Sequence, residues 1–396
     1  MPSWLNRLTG GGAVAPTEQK SGGPQTLLAL TSLGGANWSR RGFASLVNEG
    51  FARNPVVYRC VRMIAEAAAH IPLVVSENGQ RHANHPLQQL LARPNPQSAG
   101  AELFESLYTY RQTAGNAYLQ AVAVGDEVKA LFDLRPDRMQ AAPGRDGYPI
   151  AYNYTSGGQL RRFDQLALPV AEVLHLTLFN PLDDCYGLAP LEAAQQALDI
   201  HNAAANWNKS LLDNSARPSG AIVYSSAAGA LTQNQFDRLK EELEIGFQGA
   251  MNAGRPMVLE GGLDWKTIAM TPKDMDFMEA KNGAARDIAL AFGVPPMLLG
   301  IPGDNTYANY VEANKALWRQ RVIPLVRRVA ASLGHWLGPA FGGGIELVPD
   351  LDHIEALAED RAALWARIGG ASFLSDDEKR QMLGVGGTGS EPANDA

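Results

Sequence analysis

Residues 299–318 read LGIPGDNTYANYVEANKALW and lie between two stretches with the apolar spacing of long helices. Gly300, Pro302 and Gly303, followed by the polar run Asp304-Asn305-Thr306, interrupt a strongly apolar region. Four roles are open to such a loop: cradling phosphate, holding a metal, capping a helix, or facing something that passes by. A Walker A loop needs GxxxxGK followed by Ser or Thr, so that backbone N–H groups and a lysine surround the phosphates. The loop has no lysine, which removes the phosphate cradle. Asp304, Asn305 or Thr306 can accept a hydrogen bond from the first turn of the helix that follows.

Working outward, the two flanking helices run from about Pro272 to Phe292 and from about Tyr307 to Leu337. Pro324 lies inside the second, where a missing N–H and a bulky ring predict a kink. Before them, PLEAAQQALDIHNAAANWNKSLLDNSARP (190–218) has proline at its start and just past its end, the punctuation of another long helix. A β-rich module at 219–271 is thus bracketed by two long helices and expected to project on a helical pair: strand GAIVYSS, helix LTQNQFDRLKEELEIGFQGAM, strands RPMVLEGG and DWKTIAM. A compact enzyme seldom needs such a stalk.

The N-terminal half is α+β. NPVVYRCVRMIAEAAAHIPLVV (54–75) opens on an Asn-Pro signal, and Val57, Cys60, Val61, Ile64 and Ala68 share one helical face before a short strand. HPLQQLLARPNP (85–96) and AELFESLYTYRQTAGNAYLQAV (101–122) read as helices, the second breaking into a strand at Gly115-Asn116. Strands are expected at 117–124, 128–134, 150–154 and 173–178, separated by turns such as GRDGYP and TSGGQ. Residues 1–40 form a Gly/Ser/Thr/Pro-rich arm, and 385–396 a glycine-rich tail.

The chain has 396 residues, enough for two or three domains. With 45% apolar and 19% charged residues it has the balance of a globular protein. A net charge of −7 provides no global basic field for wrapping nucleic acid, so any DNA contact is local or loose. The two cysteines, Cys60 and Cys185, are far apart, which excludes a disulfide framework and a thiolate zinc site. The N-terminus lacks an apolar signal core, and no run approaches 18 uncharged apolar residues, so synthesis in the cytoplasm and no membrane span are expected.

Candidate chemistry is sparse. His82 and His85 form HxxH without a third ligand, and His85 precedes Pro86 as a helix cap would. Asp183 and Asp184 pair two acids in NPLDDCYG, which also satisfies a turn. Cys60 faces apolar neighbours as a core residue. No nucleophile elbow is present, and no cofactor or metal is called for. Lys315, Arg319, Arg321, Arg327 and Arg328 cluster around Pro324, a solvated or intersubunit face or a phosphate-backbone contact. Lys273, Lys281 and Arg286 on the preceding helix are balanced by acids.

From Asn54 to Trp336 the chain resembles the portal (head–tail connector) proteins of tailed bacteriophages, in the group that also serves gene transfer agents. The resemblance is carried by NPVVYRCVRMIAEAAAHIPLVV, HPLQQLLARPNP with GNAYL, VLHLTLFNPLDDCYGLAPLEAA, RPSGAIVY, and IALAFGVPPMLLG followed by NTYANYVEANKALW. It implies an α+β portal fold assembled as a ring. The wing would be 41–189, the stem helices 190–218 and 272–296, and the clip 219–271. Residues 297–307 would be the tunnel loop, 308–350 the long kinked helix and wing return strand, and 351–384 the helical crown. It further implies a dodecamer at one capsid vertex that passes double-stranded DNA without reading its sequence. Its partners would be the major capsid protein, the large terminase (packaging ATPase) and head–tail adaptors. Channel-lining residues would be Gly300, Pro302, Gly303, Asp304, Asn305, Thr306 and Tyr307. Two other readings stay open: a packaging nuclease or protease using Asp183/Asp184 or His82/His85, and a smaller adaptor or minor capsid protein.

Overall fold

The computed structural model describes residues 42–77, 80–82, 84–125, 127–145, 147–165, 170–213, 220–224, 234, 237–238, 241, 263–267, 277–303 and 306–383. The arm, the tail, Lys273, Asp304, Asn305, the strand RPMVLEGG and the start of the second bracketing helix lie outside them. Within the module's helical stretch, the described Asn234, Asp237, Arg238 and Glu241 are helical.

A short helix α1 (Phe43–Leu46) and a π-helical turn (Val47–Phe51) lead to α2 (Pro55–Ala69). Asn54 caps α2, its Oδ1 accepting from the N–H groups of Val56 and Val57 at 3.0 and 3.1 Å. The face read from the sequence is the buried one: Val57, Cys60, Val61, Ile64 and Ala68 are essentially inaccessible. After α2 come β1 (Leu73–Glu77), β2 (Gln80–Arg81), α3 (Pro86–Ala92) and α4 (Gly100–Ala114). Gly115, at φ 71°, then turns the chain into β3 (Asn116–Val124), where the sequence places the break.

β4 (Glu127–Leu134) pairs with β3, and beyond it β5 (Met139–Pro143), β6 (Pro149–Ser156) and β7 (Gln159–Asp164) form a separate antiparallel sheet. β5 and β7 are not legible from their residues. β7 reads QLRRFD and is carried by its turn: Gly157 and Gly158 both have positive φ, at 57° and 79°, and Ser156 pairs with Gln159. That is the demand of a two-residue primed hairpin turn. β8 (Val173–Thr177) completes the β4-β3-β8 sheet.

The helix expected from Pro190 is divided into α5 (Pro190–Ala193) and α6 (Gln195–Asp213), because Ala194 has ψ near 0° and opens the ladder between them. β9 (Gly220–Tyr224) and β10 (Leu263–Thr267) pair antiparallel, so the two described strands of the bracketed module form a ribbon. α7 (Phe277–Phe292) packs on α6, and the buried residues of the pair include small ones: Ala197 and Ala204 on one helix, Ala284, Ala285 and Ala289 on the other. Small side chains allow close approach of the two backbones.

The last long helix is α8 (Tyr307–Ala316), a π-helical segment (Leu317–Val322) and α9 (Ile323–Leu337) in unbroken succession. The π segment sits immediately ahead of Pro324. A proline lacks the N–H for the ladder and its ring crowds the carbonyl four residues back, here Gln320, which a widened turn accommodates. β11 (Ile345–Pro349) returns to pair with β1, Leu73 facing Pro349, closing the β11-β1-β2 sheet. α10 (Ala358–Gly369), entered through a 3-10 turn at Glu355–Leu357, and α11 (Asp376–Leu383) end the described chain. One hydrophobic core runs through α2, α3, α4, α7, α9, β1 and β3; a second, around Tyr118, Tyr152 and Phe163, lies between the β4-β3-β8 and β5-β6-β7 sheets.

Candidate functional site: the loop between two long helices

α7 stops at Gly293, φ 71°: Gly293 N donates to Leu290 O at 3.0 Å and Val294 N to Ala289 O at 2.9 Å. This is the paired-bond termination that satisfies the last carbonyls of a helix. The same device follows seven residues later. The 3-10 turn Pro296–Leu299 ends at Gly300, φ 71°, with Gly300 N to Met297 O at 3.2 Å and Ile301 N to Pro296 O at 3.3 Å. Ile301 is then buried, and Pro302 O accepts from Arg286 Nη2 on α7. A Cβ at Gly303 would stand 2.6 Å from that guanidinium, so glycine leaves it room. Thr306 supplies the cap, its Oγ1 accepting from Asn309 N at 3.2 Å. Tyr307 is 85% exposed and Tyr310 50%. The entry to the loop is therefore fixed by backbone bonds and one arginine, while its described exit residues present a hydroxyl and a phenol to the surroundings.

Of the described cations noted in the sequence, Arg286, Lys315, Arg319 and Arg321 have partners within the chain. Lys315 Nζ lies 3.5 Å from both Glu312 and Glu359, and Arg319 pairs with Asp360, so the pair ties the long helix to α10. Arg321 turns inward and donates to Gln112 Oε1. Lys281 is half-buried; burial, and then the Lys281 charge, lower the His201 imidazole.

The residues of the enzymatic reading occupy structural positions. Asp183 Oδ1 accepts from the N–H groups of Cys185 and Tyr186 at 2.7 and 3.0 Å, a turn of its own, and Asp184 is exposed. His85 Nδ1 accepts from Leu87 N at 3.1 Å and caps α3, while His82 Nε2 lies 3.7 Å from Glu77. Cys60 is a core residue whose thiol burial pushes up to about 12. Among the described residues no group of three or more His, Cys, Asp or Glu could hold a metal ion, and no helix is long and apolar enough to cross a membrane.

Sequence reasoning missed a polar knot under the loop that precedes α5. Asn116 Oδ1 accepts from Gly187 N at 2.8 Å and meets His175 Nε2 at 3.0 Å; His175 Nδ1 meets the Tyr152 hydroxyl at 3.0 Å. Four elements meet there, and only the glycines at 115 and 187 mark it in the sequence.

The phage portal protein family model matches residues 55–384. A chain in the neck of a native gene transfer agent (GTA) particle, a structure computed with C12 symmetry, is 52% identical; the match covers 90% of this chain and 97% of that one, with a TM-score of 0.68. An uncharacterised protein of Rickettsia bellii is 43% identical over 348 residues, 85% of this chain and 88% of the relative. The portal protein of Enterobacteria phage HK97 is 24% identical over 394 residues, 96% of this chain and 87% of that one. With a family model spanning most of its length and relatives this similar, the chain belongs to the phage portal protein family.

Proposed function

We propose that copies of this chain form a ring, twelve in number, at the unique vertex of a gene-transfer-agent particle, and that double-stranded DNA enters and leaves through its axial channel. The observation that carries this reading is the 52% identity, over 90% of the chain, to a component of a GTA neck computed with C12 symmetry. In this reading 41–189 is the wing, 190–218 and 272–296 the stem, 219–271 the clip, 297–307 the tunnel loop, 308–350 the long kinked helix and wing return strand, and 351–384 the crown. The ribbon of β9 and β10, reached from a packed pair of helices, suits a clip that docks the large terminase and later the head–tail adaptors. The wing and crown would face the major capsid protein and the particle interior.

The chemistry of the loop suits a conduit. Each lysine or arginine that neutralises a phosphate releases counterions and contributes about 0.9 to the salt slope of binding, so strong contacts act as brakes. Arg286, Lys315 and Arg319 have partners within their own chain, and among the described residues Thr306 and Tyr307 are the exposed groups at the loop exit. The test replaces Asn305, Thr306 and Tyr307 together by alanine. Rings that still assemble but package or retain less DNA support the reading; loss of assembly would make the loop purely structural.

A further inference from the structure

Arg111 and Gln112 close the last turn of α4, and they are only 3% and 0% exposed. Arg111 Nη2 donates to Thr177 O at 3.2 Å, and Gln112 Oε1 accepts from Arg321 on the π-helical segment. Arg328, exposed on α9, stands close enough for its charge to act on both arginines. Burial lowers the Arg111 guanidinium to about 10; Tyr108 opposes this, and Arg328 and Arg321 push further down. Arg321 is lowered by burial and then by Arg328. Among the described residues, no carboxylate is among the charges acting on Arg111 or Arg321. Three donors in this cluster, Arg111 Nε, Arg321 Nε and Gln112 Nε2, are buried without a hydrogen-bond partner.

Charges removed from water without a counter-charge are costly. A water molecule satisfies an N–H but leaves like charges facing one another. An oxyanion answers both needs, because its oxygens match the guanidinium fork and its charge offsets the cluster. We propose that Arg111, Gln112, Arg321 and Arg328 form a binding site for a single oxyanion, phosphate or carboxylate. Two sources supply this chemistry: free inorganic phosphate and, where the ring reading above holds, an Asp or Glu of a neighbouring copy. With 41 acidic residues against 34 basic ones, each copy has carboxylates in excess. The site ties α4 and the end of β8 to the long helix. It also backs the end of α7, because a Cβ at Gly293 would stand 3.3 Å from Arg321 Cδ.

The test is thermal unfolding of the full-length protein as millimolar inorganic phosphate replaces chloride at constant ionic strength. Wild type should show a saturable rise of about 2 °C. The rise should shrink in Arg328→Gln, which alters an exposed residue and spares the fold, vanish in Arg321→Gln, and persist in Arg327→Gln. In an electron cryo-microscopy map of rings prepared without phosphate, a neighbour's carboxylate within hydrogen-bond reach of Arg321 Nε identifies the second source. Equal responses in wild type and Arg321→Gln overturn the site. So does a carboxylate of the same chain filling it, or a wild type with neither response nor neighbouring carboxylate. Failure to form rings would contradict the assembly, while the phosphate titration would still decide the site.

Discussion

Asn54 Nδ2 lies 2.9 Å from His201 Nδ1, joining residues 147 positions apart and fastening the start of α2 to the middle of α6. The same amide donates to Asn202 Oδ1 at 2.8 Å, while its oxygen caps α2. One buried side chain therefore joins the cap of α2 to the proposed stem. Asn54→Ala removes the cap and strands a buried imidazole, and should cost about 2–3 kcal/mol. Asn54→Ser should recover only the capping share, about 1 kcal/mol. Urea unfolding of both variants checks the partition.

His175 predicts an acid-labile fold. Asn116 gives its amide N–H to Ala114 O, so its oxygen takes the His175 Nε2 proton, and His175 Nδ1 accepts from the Tyr152 hydroxyl. Burial lowers this imidazole to about 3, from about 6.5 in an unfolded chain. Below about 6.5 the unfolded chain binds a proton that the folded chain does not, so stability is complete above that pH and declines towards 3. The slope approaches 1.4 kcal/mol per pH unit, to order of magnitude, and His201, also lowered, adds in the same direction. His175→Gln should flatten the melting temperature between about pH 6.5 and 4 while lowering it at pH 7. An unchanged slope would rule out His175 as the source.

Gly115 and Gly187 touch backbone to backbone. A Cβ on Gly115 would stand 2.3 Å from Gly187 O, and Gly115 has φ 71°. Gly115→Ala should therefore destabilise by about 3 kcal/mol or more, through clash as well as strain. Gly125, with φ 64° and nothing within 4 Å of a Cβ, isolates the strain alone, and Gly125→Ala should cost about 1 kcal/mol. Soluble yield and thermal unfolding of the two variants measure the difference.

Much of this architecture is legible in the residues, where punctuation is local. Asn54-Pro55 starts α2, and Val57, Cys60, Val61, Ile64 and Ala68 recur at helical spacing, so both the element and its buried face follow. The loop is equally marked, because Gly293 and Gly300 occupy positions that need positive φ. β5 and β7 are different: their residues have no strand pattern, and pairing with β6 creates them. Partnerships over long separations leave no trace either. Gln112 and Arg321 are 209 residues apart, so the charges that a sequence reading turns towards DNA or a neighbouring subunit include one that points into the chain.

Thr306 is the residue of the polar run whose role in the cap is defined. Thr306→Ala should cost about 1 kcal/mol and fray the first turn of α8, with faster hydrogen exchange at the Asn309 amide. Thr306→Ser and Thr306→Asp should restore protection there. Protection unaffected by Thr306→Ala would mean that the helix start is held by other contacts.

The central claim is that residues 297–307 line the axis of a twelve-membered ring. Electron cryo-microscopy of the assembled full-length protein measures this directly. Twelve-fold rings are expected, with Thr306 and Tyr307 of every copy nearest the axis, at the narrowest part of the channel. A protein that stays monomeric, or a ring carrying this loop on its outer circumference, would contradict it.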